Sequence, residues 1–405
     1  MYPQSLKFAM EKLSVSKQTY KLIPSKTEGV KNSQFVTVEL PQNAIIDLDS
    51  LYMSALVTAT GTDATAANRY VNLPKYATII SKIVVEIGGV TLHSCTQLEQ
   101  VAHILASLDS TDEERKRLAI YGEGADRSAL GANTGDARRV VVDKFLGFIQ
   151  TCQPRLIDTG LTNTIKLQIH FAGSEVVVAA GAASSSFTLD DLYFGVTTLA
   201  IDDANYYTVY DNYLSGSGNT LNVVYKNLYT NLYSHGSQNI NARFSLNSQS
   251  LDRLYATWLP RQGVASTLNA VTKTATAFDK DGSDVTSWNF NVNNVQFPMW
   301  AATADDAFPL LVNAFGQKDG KCGPEANVVS AAVWKENYWV AAVDFTLPTG
   351  VADGVSYVSG VNGITMGLQV AFNGFGTGGA SALLLVAECS SILEISSNRV
   401  VMCIA

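Results

Sequence analysis

Hydrophobic and polar positions alternate along several stretches of the chain. Ile165, Leu167, Ile169 and Phe171 alternate with Lys166, Gln168 and His170. Ile364, Met366, Leu368, Val370 and Phe372 alternate with Thr365, Gly367, Gln369 and Ala371. The same period runs through Val36, Val38 and Leu40 and through Trp288, Phe290 and Val292. A period of two turns one face of a strand into a core and leaves the other wet or differently packed, which predicts antiparallel strands in a sandwich. Two stretches switch to helical spacing. Thr96-Gln-Leu-Glu99 reads as a capping box ahead of an apolar stripe at Leu98, Val101, Ala102, Leu105 and Leu108. Thr303-Ala-Asp-Asp306 leads in the same way into Phe308, Leu311, Val312 and Phe315. Regular alternation of strand with helix is absent, so a parallel sheet is not expected.

The pattern is written twice. Val85–Leu92 returns in kind as Phe290–Phe297, 205 residues on (290 − 85). Leu167–Phe171 returns as Leu368–Phe372, 201 residues on (368 − 167), and Leu199–Ile201 as Leu393–Ile395, 194 on (393 − 199). Solenoid and propeller repeats run to roughly 20–50 residues, so this period implies two copies of a whole domain. The first matched segment carries a hairpin signal in both copies. Gly88-Gly89 and Asn293-Asn294 each suit the positive dihedrals of a two-residue primed turn. The reading is therefore all-β, with two tandem antiparallel sandwiches and short helices in their loops. Expected boundaries are a basic arm over 1–33, a first sandwich over 34–205 and a second over 206–405.

Composition narrows the class. Charged residues are 16% of the chain, below the roughly 25% of average soluble domains, while hydrophobic residues are 47%. Such a surface suits a sandwich that buries its outside against neighbours. No apolar run approaches the ~18 residues of a membrane-spanning helix. The net charge of −8 hides an asymmetry: residues 1–31 hold six lysines against Glu11 and Glu28. A basic arm of this kind can lie along nucleic acid, acidic lipid or a sister subunit. The five cysteines are widely spaced and read as isolated, reduced and buried.

Candidate chemistry is sparse. His93 and Cys95 stand two apart without a second ligand pair, so they read as structural or surface residues rather than a zinc site. No Gly-x-Ser-x-Gly elbow and no Walker-type loop occurs. Gly374-Phe-Gly376-Thr-Gly-Gly379 matches G-x-G-x-x-G, but too little chain follows it for a dinucleotide-binding half. It reads as a loop between strands. Asp190-Asp191, Asp202-Asp203 and Asp305-Asp306 read as caps and turns. No catalytic, metal or cofactor site is expected.

Several strings carry a family likeness. Tyr338–Phe345 followed by Thr-Leu-Pro348-Thr-Gly350, Ser359-Gly360-Val-Asn362 ahead of an alternating strand, and Leu383–Ala387 with Ile392–Ile395 closing on Arg399–Met402 resemble segments of the double jelly-roll major capsid proteins of tailless icosahedral DNA viruses. Ile79–Gly89 is similar to that family's strand and turn in the first half. The resemblance covers about residues 34–405. It implies two eight-stranded antiparallel jelly rolls in a chain that forms pseudo-hexameric homotrimers tiling a virion shell. The implied partners are further copies of itself, penton and minor capsid proteins, and an internal membrane or the genome through the N-terminal arm. No cofactor, metal or small-molecule substrate is implied. Interface candidates are Lys7, Lys12, Lys17 and Lys21 in the arm, Tyr206, Tyr207, Tyr210 and Tyr213 at the link between copies, and Arg138 and Arg139 at the end of a first-half insertion spanning 109–150. A second stretch, 261–287, is the candidate insertion of the other half. The alternative functional reading is a viral spike or a carbohydrate- or receptor-binding sandwich; an enzyme lacks a visible constellation.

Overall fold

The structure, a computed structural model, describes residues 14–61, 70–71, 78–109, 138–178, 185–201, 204–216, 219–235, 239–259, 276–319, 331–346, 360–374, 381–396 and 401–404. The first half comprises β1 (Ser14–Leu22), β2 (Val30–Lys31), β3 (Phe35–Glu39), β4 (Ile45–Gly61), β5 (Tyr70–Val71), β6 (Ile80–Ile87), β7 (Val90–Cys95), helix α1 (Leu98–Asp109), β8 (Arg138–Val142), the short helix α2 (Phe148–Thr151), β9 (Leu156–Asp158), β10 (Ile165–Phe171), β11 (Val177–Val178) and β12 (Ser185–Ile201). Helix α3 (Ala204–Leu214) then leads to the second half. That half holds β13 (Leu221–His235), β14 (Ile240–Leu259), β15 (Ser287–Val292), β16 (Val295–Ala302), α4 (Ala307–Asp319), α5 (Ala331–Asn337), β17 (Ala341–Asp344), β18 (Val361–Asn373), β19 (Ser381–Ile395) and β20 (Val401–Ile404).

In the first half one sheet runs β1-β12-β4-β8 and the facing sheet β3-β10-β6-β7. Numbered along the chain, those long strands pair as 1-8-3-6 and 2-7-4-5, the order of a jelly roll. The second half repeats it. Here the sheet β13-β19-β14-β17 and the sheet β14-β18-β15-β16 share one strand. The first part of β14, Ile240–Leu246, pairs with β18, and the last part, Leu251–Leu259, pairs with β19. Register shifts between Leu246 and Leu251 mark the bulge at which the strand changes sheets. In the first half the same corner is made by two strands, β3 and β4.

The bend in β14 is held by hydroxyls and a buried acid. Ser250 Oγ donates to Asp252 Oδ1 at 2.9 Å, Ser390 Oγ donates to Asp252 Oδ2 at 2.7 Å, and Lys226 pairs with the same carboxylate. Gly360 N donates to Ser250 Oγ at 2.8 Å. A Cβ on Gly360 would lie 1.8 Å from the carbonyl oxygen of Leu251, so only glycine allows β18 to begin this close to the bend. The glycine of the Ser-Gly-x-Asn string thus has a packing reason.

Expected alternations are met residue by residue. Val36, Val38, Leu167, Ile169, Phe171, Trp288, Phe290, Val292, Leu368, Val370 and Phe372 are all buried. Gly88, Gly89, Asn293 and Asn294 all have positive φ, at the tips of the matching hairpins β6–β7 and β15–β16. Helices α1 and α4 follow those hairpins.

Several expectations need correction. The stretch 1–33 is not an arm throughout: β1 hydrogen-bonds along β12 from Ser14 to Leu22, and β2 pairs with β12 as well. The end of the 109–150 stretch belongs to the sandwich, as β8 and α2. Thr96 does not cap α1; Gln97 turns into the left-handed region and its carbonyl accepts from Gln100 and Val101, while Thr96 reaches elsewhere. Phe308 is exposed rather than on the buried face of α4, edge-on to Trp334 at 5.2 Å. Asp190-Asp191, expected in a cap or turn, lies within β12 at a register shift. Thr303 and Asp306 do form a cap: Thr303 N and Oγ1 donate to Asp306 Oδ2 at 2.8 and 2.9 Å. Lys7, Lys12, Asp202-Asp203, Cys322, residues 110–137 and 260–275, and Gly376–Gly379 lie outside the described residues.

Candidate assembly surfaces

The two jelly rolls meet edge to edge, and the joint is built from backbone first. Strand β13 pairs with β19 on one side. On its other side Gln153 N donates to Val224 O at 2.7 Å and Val224 N returns a bond to Gln153 O at 3.0 Å. The edge strand β7 supplies the next contacts. Tyr225 Oη donates to Leu92 O at 2.9 Å, and its ring lies edge-on to Phe148 of α2 at 5.0 Å. Thr230 Oγ1 donates to Thr96 O at 2.7 Å.

His93 sits at the centre of this seam, fully buried. Its Nδ1 lies 2.7 Å from Asn227 Oδ1, an oxygen that only accepts, so Nδ1 carries the proton. Burial drives the His93 pKa down to about 4, and the ring is neutral at physiological pH. Helix α1 extends the joint. Gln100 Nε2 donates to Ala277 O at 3.2 Å, the His103 ring stacks on Phe278 at 4.7 Å, and Lys280 Nζ reaches His103 Nδ1 at 3.1 Å. Burial pushes Lys280 down to about 7 and pushes Glu99, on the same helix, up to about 8. A seam this dry favours uncharged forms. His93 is therefore structural, as is Cys95, whose thiol is buried and raised to about 12. Among the described residues no group of His, Cys, Asp or Glu gathers with the geometry of a metal site.

The sequence-level interface candidates fall in different places. Lys17 and Lys21 are exposed on β1; the Lys21 ammonium lies 4.2 Å over the Tyr193 ring. Arg139, in β8, pairs with Asp191 and donates to Ser54 Oγ at 3.0 Å. That guanidinium holds the Asp191 carboxyl below its ordinary pKa. Arg138 pairs through its backbone register with Val57. Tyr206 and Tyr210 are buried in α3, and Tyr206 Oη donates to Asp158 Oδ2 at 3.0 Å, tying the link back to the first jelly roll. Tyr207 is exposed, and Tyr213 is half-buried with its hydroxyl 3.4 Å from Thr220 O. Lys21, Arg139, Asp191 and Tyr193 thus form one cluster on the first jelly roll, while the tyrosines form another around α3.

Sequence reasoning missed the exposed apolar face of β16 and the strand that carries Lys17 and Lys21. Strand β16 ends its sheet, and Val295, Met299 and Trp300 on it are 47%, 84% and 54% exposed. Strand β1 ends the other, with Lys17 through Lys21 all exposed and Ile23 just beyond it at 73%. The signal was present: Val295-Gln-Phe-Pro-Met-Trp breaks the alternation and puts large apolar groups on both faces.

No protein-family model and no curated protein matches the chain. Solved structures do. The PBCV-1 virus capsid protein superposes with a TM-score of 0.60 over 95% of both chains at 13% identity. The Faustovirus major capsid protein gives 0.61 over 94% of this chain and 90% of its own at 9% identity. The mavirus major capsid protein gives 0.52 over 97% and 90% at 12% identity. The chain has the double jelly-roll fold of these major capsid proteins, across nearly its whole length.

Proposed function

We propose that the protein is the major capsid protein of an icosahedral virion, in which three copies form a capsomer of six jelly rolls that tiles the shell. The observation that carries this reading is the duplication itself: two sandwiches of identical strand order, joined edge to edge and matched end to end by capsid proteins. Three such chains around a threefold axis give a nearly hexagonal outline, and cyclic closure lets each contact recur without leaving an open end. The role is structural rather than catalytic. Contact with an internal membrane or the genome is assigned to the segment before Ser14, which holds Lys7 and Lys12, because β1 commits the rest of the expected arm to a sheet. Penton and minor capsid proteins are the remaining partners.

Native mass spectrometry and electron microscopy of the purified chain test this. The expected result is a three-chain species that forms shells or hexagonally tiled sheets. A chain that stays single at micromolar concentration contradicts the reading.

A further inference from the structure

The joint inside the chain has two sides, and the duplication supplies a second copy of each side. Within the chain, edge strand β7 of the first jelly roll meets edge strand β13 of the second. By the repeat, β16 is the counterpart of β7, since both are the second strand of the matched hairpin. Likewise β1 is the counterpart of β13, since each lies at the edge of its sheet beside the matched strands β12 and β19. Among the described residues no strand pairs with the outer edge of either counterpart, and both carry large exposed apolar groups: Val295, Met299 and Trp300 on one, Tyr20 and Ile23 on or beside the other. Edges of this kind template pairing with another chain.

From this we infer that β16 of one copy seats against β1 of the next, in a head-to-tail contact that repeats the β7–β13 joint between chains. The inference rests on the capsomer reading above and names the surfaces that would close it. The register is specific. Lys21 stands opposite Gly195 in its ladder as Asn227 stands opposite Cys389. His93 stands opposite Val85 in its hairpin as Phe297 stands opposite Phe290, the residue 205 beyond Val85. The buried Asn227–His93 contact would therefore be replaced between copies by Lys21 against Phe297. Ile23 then falls beside Met299 and Trp300, so an apolar contact takes the place of the polar one. A joint of this type is heterologous: each chain offers one of each edge, and a ring closes only when the last β16 finds the first β1.

Two variants at highly exposed positions test it, Met299→Glu on β16 and Ile23→Glu beside β1. Each places a carboxylate in the proposed contact, and thermal unfolding checks that each folds as the parent does. The parent chain is measured beside them. A parent that is itself monomeric removes the capsomer reading and this inference with it. If the parent is trimeric, the expectation is that each variant alone loses the trimer in native mass spectrometry. Mixed together, the two should form a one-to-one dimer and nothing larger, because only one joint in the pair has both faces intact. A trimer that survives in either folded variant overturns the assignment of these edges while leaving the capsomer reading in place. A mixture that stays monomeric contradicts the head-to-tail geometry.

Discussion

The two jelly rolls share a strand order but not a core. In the first, the interior is mainly aliphatic: Ile83, Val85, Ile87, Leu167, Ile169 and Met53 are buried, with Phe187 and Phe194 beside them. In the second, Trp258, Trp288 and Trp339 are buried around Phe372, with the Trp258 and Trp339 rings 5.8 and 5.5 Å from it. The corner between sheets also differs, two strands in one half and a single bent β14 in the other. The shared topology is thus carried by what the halves keep in common, namely alternation, the primed-turn hairpin and the helix that follows it. Identity of the core side chains is free to drift provided the space is filled.

The largest expected effect comes from breaking the aromatic core. Trp339→Ala should destabilise by about 3–5 kcal/mol, whereas Ile83→Val in the aliphatic core should cost about 0.5–1.5 kcal/mol. Urea unfolding of the full chain separates the two, and equal shifts in midpoint would show that the cores are not differently loaded.

A buried acid on α1 gives the next effect, through pH. The folded-state pKa of Glu99, about 8, lies above its ordinary 4.5, so its contribution is full below pH 4.5 and is lost as pH rises through 8. Glu99→Gln should remove that decline and gain on the order of 4 kcal/mol over the parent at pH 8.5, with little difference at pH 4. Lys280 acts in the opposite sense: its pKa is depressed to about 7, so stability linked to it rises between pH 7 and about 10.5. A parent-minus-variant difference that does not change between pH 4 and 8.5 would rule out a buried, protonated Glu99.

Breaking the joint directly should have a smaller effect on stability but a more telling shape. Asn227→Ala removes the partner of His93 Nδ1 in a ring whose Nε2 finds none among the described residues, a loss of about 1–3 kcal/mol. Calorimetry should show one unfolding transition broadening toward two as the halves uncouple; an unchanged single transition would mean the contact is incidental. Least of all, Arg155→Ala should change stability by about 0–1 kcal/mol. Its pair with Asp49, at 2.8 Å, is 65% and 39% exposed and heavily solvated.

Much of each sandwich could be read from the chain because its signals are local. The hairpins at Gly88-Gly89 and Asn293-Asn294, the alternating strands β10 and β18, and the helices α1 and α4 all announce themselves within a dozen residues. Strand β1 did not, because it is exposed on both faces and so carries Lys17, Gln18, Thr19 and Lys21 where a half-buried strand would alternate. The capping box at Thr96 misled for a related reason. Its hydroxyl lies 2.9 Å from that of Thr230, 134 residues away, and no local pattern encodes such a partner. The same separation hides the His93–Asn227 pair. Surfaces that face other domains obey a partner's geometry rather than their own period, and the tyrosines of α3 show it: similar in sequence, Tyr206 is buried and Tyr207 exposed.

The most direct test of the whole account is an electron cryo-microscopy map of the purified oligomer. It should show a threefold ring of six similar sandwiches, with seams inside and between chains alike in geometry. A particle with any other number of sandwiches, or with chains meeting through surfaces remote from β1 and β16, would contradict it.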